Sequence, residues 1–582
     1  MIDVSTAKSI TLNGSDVLRI TEGGVVLWEK KTPIGSPLRV ATSEITFTMT
    51  RHGSPPDIDM EYSTDNVNWN TWTETNGVRS MYIPQGANLY LRGENPNGIQ
   101  QGTTYDVDYY SFSADKSYAM AGDIRSLISR YETDTVPNYC FINLFKDSTT
   151  LTNASYVRMP STVVGNNAYR QMFMGCTALT KAPHELPAVD AVSESNPDGY
   201  YATRMFSGCT SLTTMPIIRM TRFGRQSCYE MFNGCTALVN QWVSVEPSVS
   251  TTQNISFTIA ADNGKAETFV GMFKGCTSLV NASGITATKT TEWHTDVFNK
   301  MFYGCNALTS TPTITIGSLA SGTRGHCNAM FNGCTSLTTV NMQLNATTLY
   351  NGSYKVMFSG CTSLVNAPEI KATTLSDGGG DTNNGSLAFM FQNCSKLASI
   401  KVHFTSWNSG AYTRQWTQGT KSTGTFYKPS SLPSTKNASG NTSNPDYIPY
   451  DWTVVLNPCV DCTNWQQCGY VSEEECEFDL YGTLNQLVTG GLDTRQESGG
   501  TVYKLNVYIR TGVPGCTYTI REAGGSSHTY SGSGDNSLYN YVVDRVSLVN
   551  GKKHFYVNAT KNGISTGEVH YAAYDYGVEI IE

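Results

Sequence analysis

The eight residues MFMGCTAL begin at Met172 and return throughout the middle of the chain. LFKDSTTL starts at Leu144, MFSGCTSL at Met205, MFNGCTAL at Met231 and MFKGCTSL at Met272. MFYGCNAL follows at Met301, MFNGCTSL at Met330, MFSGCTSL at Met357 and MFQNCSKL at Met390. The nine copies stand 28, 33, 26, 41, 29, 29, 27 and 33 residues apart. A repeat of this period predicts a solenoid: one unit cannot bury its apolar face alone, and stacked units make a continuous core.

Each position of the motif has a physical role in that picture. Met172 and Phe173 are expected to close a short helical turn and enter the core. Gly175 ends the turn because it tolerates positive φ. Two copies carry Asp147 and Asn393 there, the residue types that accept this conformation next most readily. Leu179 starts an extended run that becomes a strand, stacked about 4.8 Å from its neighbour, so nine coils predict a parallel stack on the order of 40 Å long. Length differences fall between strand and turn, as in SDGGGDTNNGS at 376–386.

Cys176, Cys209, Cys235, Cys276, Cys305, Cys334, Cys361 and Cys394 occupy one motif position, and Ser148 replaces them in the first copy. Eight equivalent thiols argue against a nucleophile, which needs one activated group beside a base. A ladder of parallel side chains also disfavours disulfides. The remaining role is packing, with Met172, Phe173, Gly175, Cys176 and Leu179 as the repeat core. Cys140, Cys228 and Cys327 precede a motif by three or four residues and are expected on the same helical face as the Met. Cys459, Cys462, Cys468 and Cys476 differ, spaced x2, x5 and x7. A Cys-x2-Cys opening suits a structural zinc site, disulfides suit an oxidising compartment, and unpaired thiols are the third reading. Cys516 stands alone and reads as core.

With 582 residues, about three to five domains are expected. Hydrophobic content of 39% supports a core, and a net charge of −8 with no basic run gives no reason to expect nucleic-acid binding. MIDVSTAKSITLNGSDVLRI has no basic start followed by an apolar core, and no lipidation motif occurs, so no export signal or anchor is expected. No run approaches 18 apolar residues, so no membrane insertion is expected. The expectation is a chain made in a cytoplasm.

The flanks read as β-structure. Residues 1–32 alternate around Gly23-Gly24 and predict a small docking element. Residues 33–120 hold EITFTMT, IDMEYS, SMYIP and NLYLRG, the spacing of a β-sandwich. Tyr62, Trp69 and Trp72 there suit sugar stacking, but filling the core and a hairpin tip is favoured. Asp57, Asp59 and Glu61 would share a strand face, a carboxylate pair or calcium site in one reading and a solvated face in the other. Asp377 and Asp381 pose the same choice in a Gly-rich loop. Residues 481–582 alternate between Gly turns and predict a second sandwich, after a Cys-rich linker at 458–480. The eight histidines lie scattered without metal spacing, and no phosphate loop or nucleophile elbow occurs. No enzyme and no cofactor are expected, beyond the zinc reading of the four C-terminal cysteines.

The pattern MFxGCTSLTxxP resembles the BspA-like leucine-rich repeats of bacterial surface proteins and of phages that infect gut Bacteroides-type bacteria. YSFSADKSYAMAGDIRSLI (110–128) resembles the opening segment of such arrays, and GTFYKPSSLPS with IPYDWTVV (424–455) the closing one. The resemblance spans roughly 33 to 457. It implies a right-handed solenoid and a role in adhesion or recognition. The expected class is therefore mainly β with short helices: a leucine-rich-repeat solenoid at 121–457, cap included, flanked by small Ig-like β-sandwich domains.

Three functions are weighed. The first is a non-enzymatic phage virion component (tail fibre, head fibre, appendage or decoration) that binds a host surface glycan or protein. Its partners would be other virion proteins and further copies of itself on the particle. The second is a bacterial cell-surface adhesin of the same repeat family. The third is a glycan-processing enzyme, which needs a carboxylate pair in a cleft.

Overall fold

A computed structural model describes residues 34–456, apart from segments at 42–43, 101–106, 162, 188–199, 221–222, 245–250, 260–265, 288–291, 377–378, 380–381, 430 and 440–445, together with strands within 11–29 and 488–580. The fold is mainly β. Among the described residues the only helical segments are three short 3-10 turns, at Ile124–Leu127, Thr382–Asn384 and Asn408–Gly410. The chain divides into two compact units, Met1–Phe426 with Ser434–Thr453, and Tyr427–Pro433 with Val454–Glu582.

The first unit begins with two antiparallel strand pairs, Thr11–Leu12 with Ser15–Asp16 and Arg19–Glu22 with Val25–Glu29. Next come two sheets. One has six strands in the order Leu151–Arg158, Tyr118–Asp123, Leu38–Ala41, Asn88–Arg92, Glu61–Ser63, Asn70–Thr71. The other has three: Tyr109–Ala114, Ile45–His52, Val78–Ile83. Ile45–His52 alternates buried and half-buried residues, and Phe47 from it meets Tyr118 of the larger sheet and Trp72, which follows that sheet's edge strand Asn70–Thr71. Tyr118–Asp123 pairs antiparallel with Leu38–Ala41 and parallel with Leu151–Arg158. Leu151–Arg158 in turn carries the first parallel bridge of the solenoid, Asn153 to Lys181, followed by Lys181 to Thr214. The solenoid therefore grows from the edge of the six-stranded sheet.

The motif does not close a helix. Between Tyr169 and Cys176 successive amides alternate between two uses. Tyr169, Gln171, Phe173 and Gly175 donate to Tyr201, Thr203, Met205 and Ser207 of the next coil, at 2.8–2.9 Å. Met172, Met174 and Cys176 donate back three residues, to Tyr169, Gln171 and Phe173. An α-helix would use all of these amides internally; stacking takes every second one. The result is a run of tight turns with a left-handed residue every fourth position: Asn167 (φ 55°), Gln171 (54°) and Gly175 (75°). Gly175 and its six glycine counterparts have φ of 71–77°, and Asp147 and Asn393 sit at 58° and 61°. Cys140, Cys228 and Cys327 lie in these turn runs, not on a helical face, and all are buried.

A column of phenylalanines runs up the core. Phe145, Phe173, Phe206, Phe232, Phe273, Phe302, Phe331, Phe358 and Phe391 stack in sequence, with centroids 5.1–5.9 Å apart and ring planes within 14°. Phe112 and Phe47 continue the column into the sheets below. At the other end Phe391 meets Trp416, which belongs to a tenth turn bonded through Phe391 N to Trp416 O (2.9 Å) and Asn393 N to Gln418 O (2.6 Å). Trp407, Phe404 and Phe426 pack around Trp416 and close the stack.

The second unit holds a three-stranded antiparallel sheet, Val488–Glu497, Gly500–Arg510 and Leu538–Asp544. A further sheet runs Ser527–Ser531, Thr517–Glu522, Lys553–Lys561, Val569–Tyr574, Gly577–Ile580, with Ile564–Ser565 beside Lys553–Lys561. Ile520, Phe555 and Val557 are fully buried there.

Candidate functional site

The strand side of the solenoid alternates with period two. Ile259, Ile285, Ile314, Ile316, Leu344, Ile370 and Val402 point inward and are buried. The residues between them face out. Register places Thr258 beside Thr286, Thr286 beside Thr313, and Thr315 beside Gln343. The Leu344–Ile370 and Ile370–Val402 bridges carry the same row on to Glu369 and Lys401. The hydroxyls are tied across coils: Thr258 and Thr286 share a hydrogen bond (3.0 Å), Thr313 donates to the Ser283 carbonyl (3.0 Å) and Thr315 to Gln343 Oε1 (3.4 Å). Over these coils the ledge is polar, uncharged and pre-ordered.

It ends in a charged cluster. Glu369 Oε1 lies 3.1 Å from Lys401 Nζ and 2.6 Å from His403 Nε2. Partial burial pushes the Glu369 carboxyl up, but the His403 hydrogen bond and the Lys401 ammonium outweigh it and hold the group down at about 2.

A second exposed strip follows the cysteines. Thr210, Thr236 and Thr277 donate to the carbonyls of Thr177, Thr210 and Thr236 at 3.2–3.5 Å, and Thr335 and Thr362 continue it to Asn306 and Thr335, both at 3.3 Å. One position after the motif Leu, Thr180, Thr213, Thr309 and Thr338 bond to the preceding coil in the same way. Val280 and Val365 stand exposed in this row. The motif spells the strip out as a recurrent Thr after Cys and Thr or Val after Leu. Attention to its apolar positions hides that.

The cysteines stand behind these strips. Each ladder thiol is buried and donates to the carbonyl of the Phe one coil earlier, at 2.9–3.2 Å. Burial holds the thiols protonated, with Cys305 and Cys394 pushed up to about 12. Ser148, in the first copy, shares a hydrogen bond with the Tyr118 hydroxyl instead (2.7 Å). Met172, Phe173 and Leu179 are fully buried.

The carboxylates Asp57, Asp59 and Glu61 do not share a strand face, because the strand begins at Glu61. Each is matched by arginine: Asp57 by Arg51, Asp59 by Arg130 (3.4 Å), and Glu61 by Arg92 (2.6 Å) and Arg130 (3.3 Å). Trp72 is core, against Phe47; Trp69 is half-buried with the Arg92 guanidinium 3.9 Å from its ring centre, and Tyr62 is half-buried. His184 is buried against Trp242, rings 4.2 Å apart, and bonded to the Ser244 carbonyl (2.7 Å). Among the described residues no three His, Cys, Asp or Glu side chains are grouped to hold a metal. No helix among them is long and apolar enough to cross a membrane. Cys459, Cys462, Cys468, Cys476, Cys516, Asp377 and Asp381 lie outside the described residues. No known family model matches this chain, and no curated protein matches it.

Proposed function

We propose that this chain is a non-enzymatic virion protein of a phage infecting gut Bacteroides-type bacteria: a fibre, an appendage or a capsid or tail decoration. It displays a BspA-like leucine-rich-repeat solenoid, flanked by Ig-like modules, for adhesion to host surface glycans or proteins. The observation that carries the reading is the solenoid's pre-ordered outer surface, from Thr258 to Gln343 on the strand ledge and from Thr177 to Thr362 on the threonine strip. An uncharged, hydroxyl-rich surface held rigid by its backbone loses little entropy on binding. Thiol chemistry is disfavoured because burial keeps the ladder cysteines protonated. Other virion proteins and further copies of this chain are the expected partners on the particle.

The test is mass spectrometry of purified virions together with competition of host adsorption by the purified chain. Presence in virions and blocked adsorption are expected. Absence from virions, with presence on washed host cells, replaces this reading with a bacterial surface adhesin.

A further inference from the structure

A cavity of about 470 Å³ opens where the solenoid leaves the six-stranded sheet. Its floor is a buried ion pair. Arg125 Nη2 lies 2.7 Å from Asp123 Oδ2, Nε lies 3.1 and 3.2 Å from the two carboxylate oxygens, and Nη1 donates to the Thr133 carbonyl. Glu185 and Arg219 form a second pair on the wall at 3.4 Å. Three further charged side chains line the space: Glu132, Asp134 and Arg158. All three are exposed, and among the described residues none of them makes an ion pair. Half-buried Ile34 and Pro160 supply apolar wall.

We propose that this cavity binds one uncharged sugar residue of a host glycan. The charge balance selects the class. The two ion pairs cancel, which leaves two carboxylates and one guanidinium, a net of −1. An anion would face Glu132 and Asp134, and a metal ion would face Arg158. A neutral ring with adjacent hydroxyls suits both kinds of group: each hydroxyl donates to a carboxylate and accepts from the guanidinium. The size is that of a small-molecule pocket, and the fixed Asp123–Arg125 floor pre-organises it. The assignment rests on the glycan-adhesion reading above, and gives that reading a defined subsite away from the solenoid ledge.

The test is saturation-transfer NMR on the full chain with millimolar glucose, galactose, mannose, fucose and N-acetylglucosamine as probes. At least one sugar should receive saturation. Arg158→Ala and the double variant Glu132→Gln/Asp134→Asn should each weaken it by about tenfold, the effect of a lost charge-assisted hydrogen bond. Because the three side chains are exposed, the unfolding midpoint should not move. No transfer to any of the five sugars, or wild-type transfer in both variants, overturns the proposal. Monosaccharide binding with failed adsorption competition would defeat the virion-adhesion reading and leave the pocket standing. The reverse pattern would defeat the pocket alone.

Discussion

Cys305 Sγ donates a hydrogen bond to the backbone carbonyl of Phe273, 3.0 Å away and one coil earlier. The bond repeats at every ladder cysteine, so each thiol links two coils. Eleven of the sixteen cysteines are buried in the described residues. A thiol reagent at pH 8 should therefore label at most five per native chain, and denaturant should release the eleven buried ones to it. A sixth rapidly reacting thiol would contradict the ladder. Cys305→Ser keeps a donor toward Phe273 and should cost less than Cys305→Ala by about 1 kcal/mol in urea unfolding.

Phe302 stacks on Phe273 and Phe331, with centroids 5.4 and 5.5 Å away. Phe302→Ala opens a cavity in mid-column and should cost about 3–5 kcal/mol. Because each coil touches only its neighbours, the loss should also separate the unfolding of the two halves. Hydrogen exchange would show amides near Phe302 opening ahead of the rest; uniform exchange would argue against that.

Lys300 holds a left-handed backbone at φ 57° while its side chain is exposed, and Gly271 occupies the same position one coil earlier. An L side chain pays about 1–2 kcal/mol for that conformation. Lys300→Gly should raise stability by about 0.5–1 kcal/mol, the opposite of a glycine placed in a helix. A lower unfolding midpoint for this variant would refute the turn assignment.

His326 is buried between Thr323 and Ser353, and burial, with a smaller contribution from His294, lowers its pKa from 6.5 to about 4. Below pH 6.5 the unfolded chain binds a proton that the folded one refuses until about pH 4. Stability from this group is complete above pH 6.5 and falls as pH drops towards 4, by about 3 kcal/mol. Urea unfolding at pH 7.5 and 4.5 should show that drop, and His326→Asn should flatten it.

The sequence by itself determined the solenoid and its register. Met, Phe, Cys and Leu recur at fixed offsets, and only stacking in register buries all four kinds at once. Its glycines also marked where the chain turns left-handed, since that residue type carries the signal itself. The tertiary structure decided three further things. It converted the expected helical turn into alternating turns, because the next coil competes for every second amide; nothing in the side chains of Gln171 or Lys300 announces that. It neutralised Glu61 and Asp59 with Arg92 and Arg130, from 31 and 71 residues away, a pairing that strand alternation does not encode. It also assembled Asp123, Asp134, Arg158 and Glu185 around one cavity. These come from separate segments, and only the turn from flat sheet to stacked coil makes them neighbours.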